Sequence, residues 1–500
     1  SLYLIVYNGT NAGNNAANWI FATQGMTLAW DSGGDRKNVT NAANWNPDRI
    51  PGFLDSVEIS ASSDRIVWNI AAPGTVRSML LAAGFSGAVT NLKPHAVTSN
   101  LTINAGTLYT AKDVPGPLTI GTSLLIGSGA TCVVRRASAA GEGLGQTITV
   151  SNLTIASGGS MNADGEGFGN KAGPGAGNSP AWAGGTHGGR GGLNEDSTYG
   201  SFADPVSLGS GGDGWPTGGS GGGAIRIVAS GTVTVNGKLT ANGIDGGYGR
   251  GAGGSVSISA GTLTGNGTIQ ANGGGNGWAT GGGGGGGRIS IGNVANFTFA
   301  GTLAANGATR GFSGTIYLNA AMRNNIVIGG SGRLTSLRLG SDDTNNYVFG
   351  TVVITNGGVL EVDGNPGMNS LGGGVYAGGA AKLYVTNLYV LGGGKLRADD
   401  LGWCGGYGPG HGGAQSGGTH GGMGGNNADL TYGSITNPTS LGSGANEYGS
   451  GGGAVVVIAS GTVMIDGEVA ANGSDGSWNR GAGGSVSIRA ATITGNGFVK

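Results

Sequence analysis

Ala224-Ile-Arg-Ile-Val-Ala-Ser230, Gly231-Thr-Val-Thr-Val-Asn-Gly237 and Lys238-Leu-Thr-Ala-Asn-Gly243 follow one another without a break. The same order returns as Ser255-Val-Ser-Ile-Ser-Ala-Gly261, Thr262-Leu-Thr-Gly-Asn-Gly267 and Thr268-Ile-Gln-Ala-Asn-Gly273. A third set runs from Arg288-Ile-Ser-Ile291 to Thr302-Leu-Ala-Ala-Asn-Gly307. Each set offers three short strands whose side chains alternate in character, and Asn-Gly steps at their ends tolerate the positive φ of a sharp corner. Hairpins are the local alternative for Asn-Gly. A parallel stack explains the recurrence better, because it sets each strand above its homologue in the preceding set. The expected fold is all-β: a right-handed parallel β-helix with long Gly-rich loops and an N-terminal cap. Alternation places Ile225, Ile227, Val256 and Ile258 on the inner face and turns Ser and Thr outward. Stacked at about 4.8 Å, about 12 to 14 coils would make a rod of roughly 60 Å.

A longer repeat surrounds this one. Val150-Ser-Asn-Leu-Thr-Ile155 matches Val385-Thr-Asn-Leu-Tyr-Val390, and Gly184-Gly-Thr-His187 matches Gly417-Gly-Thr-His420. Arg250-Gly-Ala-Gly-Gly-Ser-Val-Ser-Ile258 matches the run ending at Ile488. Three segments follow: a cap over residues 1–75, a first repeat over 76–320 and an incomplete second repeat over 321–500. Terminal repeats of a solenoid need a polar outer face, so the polypeptide is expected to continue past Lys500.

Composition narrows the class. Gly makes up 115 of 500 residues with only 13 Pro and no period of three, which excludes collagen; the 38% of hydrophobic residues, set in alternating runs, argues against disorder. A formal net charge of −1 gives no reason to expect nucleic acid as a partner. No apolar run approaches the roughly 20 residues that span a bilayer, the longest near the start being Leu2 to Tyr7. Cys132 and Cys404 are too few for a disulfide framework or a four-ligand zinc site, and free thiols are expected. Six Asn-x-Ser/Thr sequons, at Asn8, Asn38, Asn100, Asn152, Asn266 and Asn296, follow from Asn beside Thr-rich strands.

The segment Trp30-Asp-Ser-Gly-Gly34, Ala43-Asn-Trp45, Ile50-Pro51 and Asp55-Ser-Val57 is similar to the start of large bacterial autotransporter-like and adhesin-like β-helix proteins. The series Gly184-Gly-Thr-His187, Thr198-Tyr-Gly200, Leu208-Gly-Ser210 and Gly221-Gly-Gly-Ala-Ile225 resembles the glycine-rich repeats of giant proteins of the bacterial cell surface. Together the two resemblances cover most of the chain. They imply a secreted, cell-surface or matrix role, and they bring no catalytic residues.

The search for chemistry is correspondingly thin. Gly-x-Gly-x-x-Gly arises by chance at this glycine content, and no Gly-Lys-Ser/Thr completes a phosphate loop. No His-Glu-x-x-His or serine triad stands out. Parallel β-helices can host polysaccharide lyases and glycosidases, for which Glu361 with Asp363 and Asp399 with Asp400 are the carboxylate candidates; solvated outward side chains are the plainer account. No cofactor is expected. Calcium is the one candidate ion, in the oxygen-rich stretches Asn162-Ala-Asp-Gly-Glu166 and Asp342-Asp343 with Asn345 and Asn346, where turn-forming polar residues are the plainer account.

The loops over 173–223 and 405–453 carry the remaining signal. They are long, nearly free of strand pattern, and too rich in aromatics for disordered linkers, so they are expected to pack against the rod. Gly281 to Gly287 is expected to be extended backbone in close contact with neighbouring backbone. Both copies share His187/His420, Tyr199/Tyr432, Asp245/Asp475, Arg250/Arg480 and Tyr248/Trp478. Loop packing explains such recurrence. The functional alternative makes Trp182, His187, Tyr199, Trp215, Tyr248, Tyr407, His420, Tyr432, Tyr448 and Trp478 an interaction surface for glycans or a neighbouring filament. The function read from the sequence is an extracellular fibre, sheath or surface stalk that self-associates and carries out no catalysis, with a carbohydrate-binding adhesin and a polysaccharide-degrading enzyme as alternatives.

Overall fold

The computed structural model describes residues 4–7, 19–22, 25–70, 74–177, 182–194, 196–215, 217–275, 281–331, 333–372, 375–412, 415–445, 449–475 and 479–500. The sequons at Asn8 and the aromatics Tyr448 and Trp478 lie outside these residues.

The protein is all-β with mostly parallel sheets. Helix among the described residues is confined to Ala320–Asn324 and a single 3-10 turn at Ala42–Asn44. One sheet runs in chain order through Thr27–Trp30, Ser56–Ile59, Ser78–Leu81, Asn100–Ile103, Leu118–Ile126 and Gln146–Ile155. It continues through Ala224–Ala229, Ser255–Gly265, Arg288–Phe299 and Thr315–Tyr317. A second sheet takes the short strand that follows in each segment, from Arg65–Trp68 to Thr302–Ala304. Two further sheets repeat the arrangement between Asn325–Ile328 and Phe498–Val499.

Register keeps like above like. Leu101 pairs with Leu124, Leu124 with Leu153, Leu153 with Val233 and Val233 with Leu263. In the second sheet Leu108, Cys132, Met161, Leu239, Ile269 and Leu303 form one file. All of these are buried. Period-2 alternation of β-branched and aliphatic residues makes such files possible, and burying each side chain contributes about 1.5–3 kcal/mol before the entropy of ordering is subtracted. A one-residue slip would turn every file outward, so the pattern fixes register as well as strand identity. The apolar core is contiguous from Leu28 to Ala471.

Three features go beyond what the sequence pattern predicts, and each has a physical cause. Ser255, Ser257 and Ser290 face away from the core but are buried, because the stretch 203–207 lies over them: Ser255 Oγ donates to the Ser207 carbonyl and Ser290 Oγ to that of Ala203. Residues 1–75, expected as a cap and entry segment leading into the first strands, supply strands to both main sheets through Ser56–Ile59 and Arg65–Trp68. Their distinct feature is the antiparallel strand Trp45–Asn46 against Thr27–Trp30, with Trp30, Trp45, Trp68 and His95 in a file of edge-to-face rings. Near residue 320 the hydrogen-bonded ladder is interrupted by the helix Ala320–Asn324, capped by the Asn319 side chain, while the core passes through. The interruption is bridged by the buried ion pair of Arg288 with Asp342, at 2.9 Å.

Cys132 and Cys404 are free thiols; burial pushes the first up to about 12 and the second to about 11. No described helix is long and apolar enough to cross a membrane.

Candidate functional site

The feature that sets this chain apart is built from glycine. Along Gly281 to Gly287, the amides of Gly282 and Gly285 donate to the carbonyls of Trp182 and Gly185, both at 2.9 Å. Those of Gly283 and Gly286 donate to Thr309 and Phe312, at 3.0 and 2.9 Å. Those of Gly284 and Gly287 donate to Gly274 and Ala271, at 3.1 and 2.7 Å. Successive amides serve three different neighbours and the fourth returns to the first. That period of three belongs to a polyproline-II strand, which makes no internal hydrogen bonds and here finds its partners in adjacent chain.

The same period explains why the residues are glycine. A Cβ on Gly281, Gly284 or Gly287 would lie 1.9–2.0 Å from the carbonyl oxygens of Tyr248, Gly251 or Gly254. On Gly282 and Gly285 it would meet Gly192 and Gly189, and on Gly283 and Gly286 it would meet Thr309 and Ala305. None of these seven glycines has a positive φ, so lack of space and not turn geometry excludes a side chain. The close backbone contact expected for this run is what the structure holds. The layer extends outward: Gly253 donates to Gly285, Gly222 to Ala252, and Gly209 to Gly222.

Side chains pin the loops to this layer, in the same way in both copies. Tyr199 Oη donates to the Leu208 carbonyl and lies 2.8 Å from Ser210 Oγ; Tyr432 Oη does the same at Leu441 and Ser443. His187 Nδ1 lies 2.8 Å from the Gly253 carbonyl and His420 Nδ1 lies 2.9 Å from that of Gly483. A carbonyl only accepts, so Nδ1 carries the proton in each. Each imidazole tilts against its tyrosine ring, at 4.8 and 4.9 Å. Burial pushes His187 down to about 3 and lowers His420, keeping both neutral. Asn194 Nδ2 donates to Gly175 and Gly184, as Asn427 Nδ2 does to Gly410 and Gly417.

The ten aromatic and histidine candidates therefore separate. His187 and His420 are buried, and Tyr199 and Tyr432 are half-buried with their hydroxyls committed to the loop. Trp182 is exposed and stacks on Tyr248, with centroids 5.0 Å apart. Trp215 is 77% exposed, and Tyr407 lies under the Arg310 guanidinium at 5.9 Å. Sequence reading passed over Met423 and Ile435, which stand exposed in the second copy beside Tyr432 and His420. Apolar residues at loop positions were the available signal.

The carboxylate candidates do not pair as their spacing suggested. Glu361 faces Arg338 at 2.8 Å and Arg397 at 2.9 Å; burial would raise its carboxyl, but the two guanidinium groups prevail and lower it. Asp363 turns away, accepts the Ser313 and Gly364 amides, and shares a cavity of about 270 Å³ with Asp400, Arg338, Arg310 and Cys404. Burial pushes the carboxyls of Asp363 and Asp400 up. Of the calcium candidates, Asp342 binds Arg288 and Asn345, Asp343 binds Arg190 and Thr198, and Asp164 accepts from Thr240 and the Asn242 amide. Among the described residues no group of three or more His, Cys, Asp or Glu is placed to hold a metal ion.

No protein-family model, curated protein or solved structure matches the chain.

Proposed function

We propose that the chain is a stretch of a right-handed parallel β-helix serving as a passive extracellular structural element, a fibre, sheath or surface stalk of the kind found among giant glycine-rich repeat proteins of bacterial cell surfaces. One observation carries this reading: strands pair in parallel, in chain order and with like side chains in file, around a core running from Leu28 to Ala471. Such an arrangement grows along one axis.

Electron cryomicroscopy of the native material tests the reading. Filaments or rods with an axial spacing near 4.8 Å are expected; compact particles lacking that spacing would refute it. A carbohydrate-binding adhesin is favoured by the exposed stack of Trp182 on Tyr248 and by exposed Trp215. Saturable glycan binding that Trp182→Ala and Trp215→Ala abolish would establish this second role.

A further inference from the structure

The two copies of the loop around His187 and His420 hold the same internal bonds but have different neighbours. In the first copy, Gly281–Arg288 lies across it. Gly189 and Gly192 donate to the carbonyls of Gly286 and Gly283, both at 2.8 Å, Gly253 donates to Gly285 at 2.9 Å, and Arg288 Nε donates to the Tyr199 carbonyl at 2.8 Å. A Cβ on Gly188 or Gly189 would stand 2.2 or 2.1 Å from a carbonyl oxygen.

In the second copy, the homologues Gly421, Gly422 and Gly425 have nothing within 4 Å of where a Cβ would stand. The amides of Gly422, Gly425 and Gly483, which match the three donors above, donate to no group among the described residues. In the place of Gly281–Arg288 is a groove of about 670 Å³ lined by His420, Gly421, Gly422, Tyr432, Ile435 and Gly483. Ile435 is 100% exposed, whereas its homologue Phe202 packs edge-on against Tyr317 and Tyr347 at 5.1 and 5.7 Å. The second copy is thus a preformed seat: backbone donors, apolar wall and pinned loop are all in place.

The geometry points to one occupant for this groove: an extended, glycine-run strand ending in arginine, of the chemistry of Gly281–Arg288, supplied from outside residues 1–500. Glycine is required of it because a Cβ on residues seated as Gly284 and Gly285 are in the first copy would stand 1.9 and 2.0 Å from the carbonyl oxygens of Gly251 and Gly189, whose homologues in the second copy are Gly481 and Gly422. Arginine matches because Tyr432 is the homologue of Tyr199, whose carbonyl receives Arg288, and the two tyrosines are held by the same hydroxyl bonds. The inference deepens the proposed structural role, on which it rests, by naming what the interaction surface takes.

The test uses the 500-residue chain and a fluorescent peptide with the sequence of residues 281–291, followed by anisotropy. Saturable binding is expected. Alanine in place of the peptide's fourth and fifth glycines should weaken it at least tenfold, and alanine for its arginine about tenfold, the effect of one charge-assisted hydrogen bond. Gly421→Val, which fills the groove where nothing is in contact, should weaken binding at least tenfold with an unchanged melting temperature. On binding, the imidazole of His420 should titrate at lower pH by NMR, as it becomes covered in the way His187 is. Absence of binding, or equal binding of the alanine peptide, would overturn the inference. Filaments formed by a chain whose groove ignores the peptide would overturn it alone; peptide binding by a chain that never forms filaments would overturn the fibre reading alone.

Discussion

The loops at 182–194 and 415–427 share their tyrosine, histidine and asparagine anchors almost atom for atom, yet the first is sandwiched in backbone and the second is open on one side. Arg250 shows the contrast in one residue. It is buried beneath Gly281 and Gly282, while its homologue Arg480 has a side chain 78% exposed and pairs with Asp475 in solvent. Anchors that recur within the loop maintain its shape; glycines that recur answer to a neighbour, and in the second copy that neighbour is missing from these residues. Glycine content in this protein is therefore a record of close backbone packing more than of turns.

Four measurements can break or sharpen that contrast. The largest effect is expected at Arg288, which closes the first copy by joining the Tyr199 carbonyl, Thr315 and Asp342. Arg288→Ala leaves Asp342 buried without its counter-charge and should destabilise the chain by about 3–5 kcal/mol in denaturant titration. Arg480→Ala, in solvent, should leave the midpoint nearly unmoved. A homologous glycine pair comes next. Gly189→Ala forces a methyl against the carbonyls of Phe312 and Ser313 and should cost about 1–3 kcal/mol. Gly422→Ala meets nothing and should be neutral or stabilising by up to about 1 kcal/mol through the unfolded chain. Equal losses at the two positions would break the comparison.

Much of the fold was legible because Asn-Gly corners and period-2 alternation act locally: the strands between Ala224 and Ala304 fall where those signals put them. What alternation cannot tell is what covers the other face, so the burial of Ser255 and Ser290 under residues far away in sequence was out of reach. The interaction candidates suffered from the same limit. Recurrence selected His187 and Tyr199, whose partners make them anchors, and passed over Ile435, whose exposure depends on a strand absent from its side. Asp363 and Asp400 meet in one cavity only because distant segments stack, and no spacing rule links them.

Acid sensitivity gives a smaller effect for each pH unit. His187 has a folded pKa near 3, below the 6.5 of the free side chain, so its contribution is full above pH 6.5 and is lost as the unfolded chain takes up a proton first. Between pH 6.5 and 3 it should remove about 1.4 kcal/mol of stability per pH unit, and His187→Gln should flatten that slope in melts across the range. The smallest effect is a control on which the copies should agree. Tyr199→Phe and Tyr432→Phe each remove a hydroxyl bonded to a loop carbonyl, and each should cost about 1 kcal/mol.

Amide hydrogen exchange at homologous glycines addresses the central claim most directly, because it reads the neighbour and not the loop. The amides of Gly189 and Gly192, bonded to Gly286 and Gly283, are expected to exchange at least about a hundredfold more slowly than those of Gly422 and Gly425. Matching rates in the two copies would contradict the account.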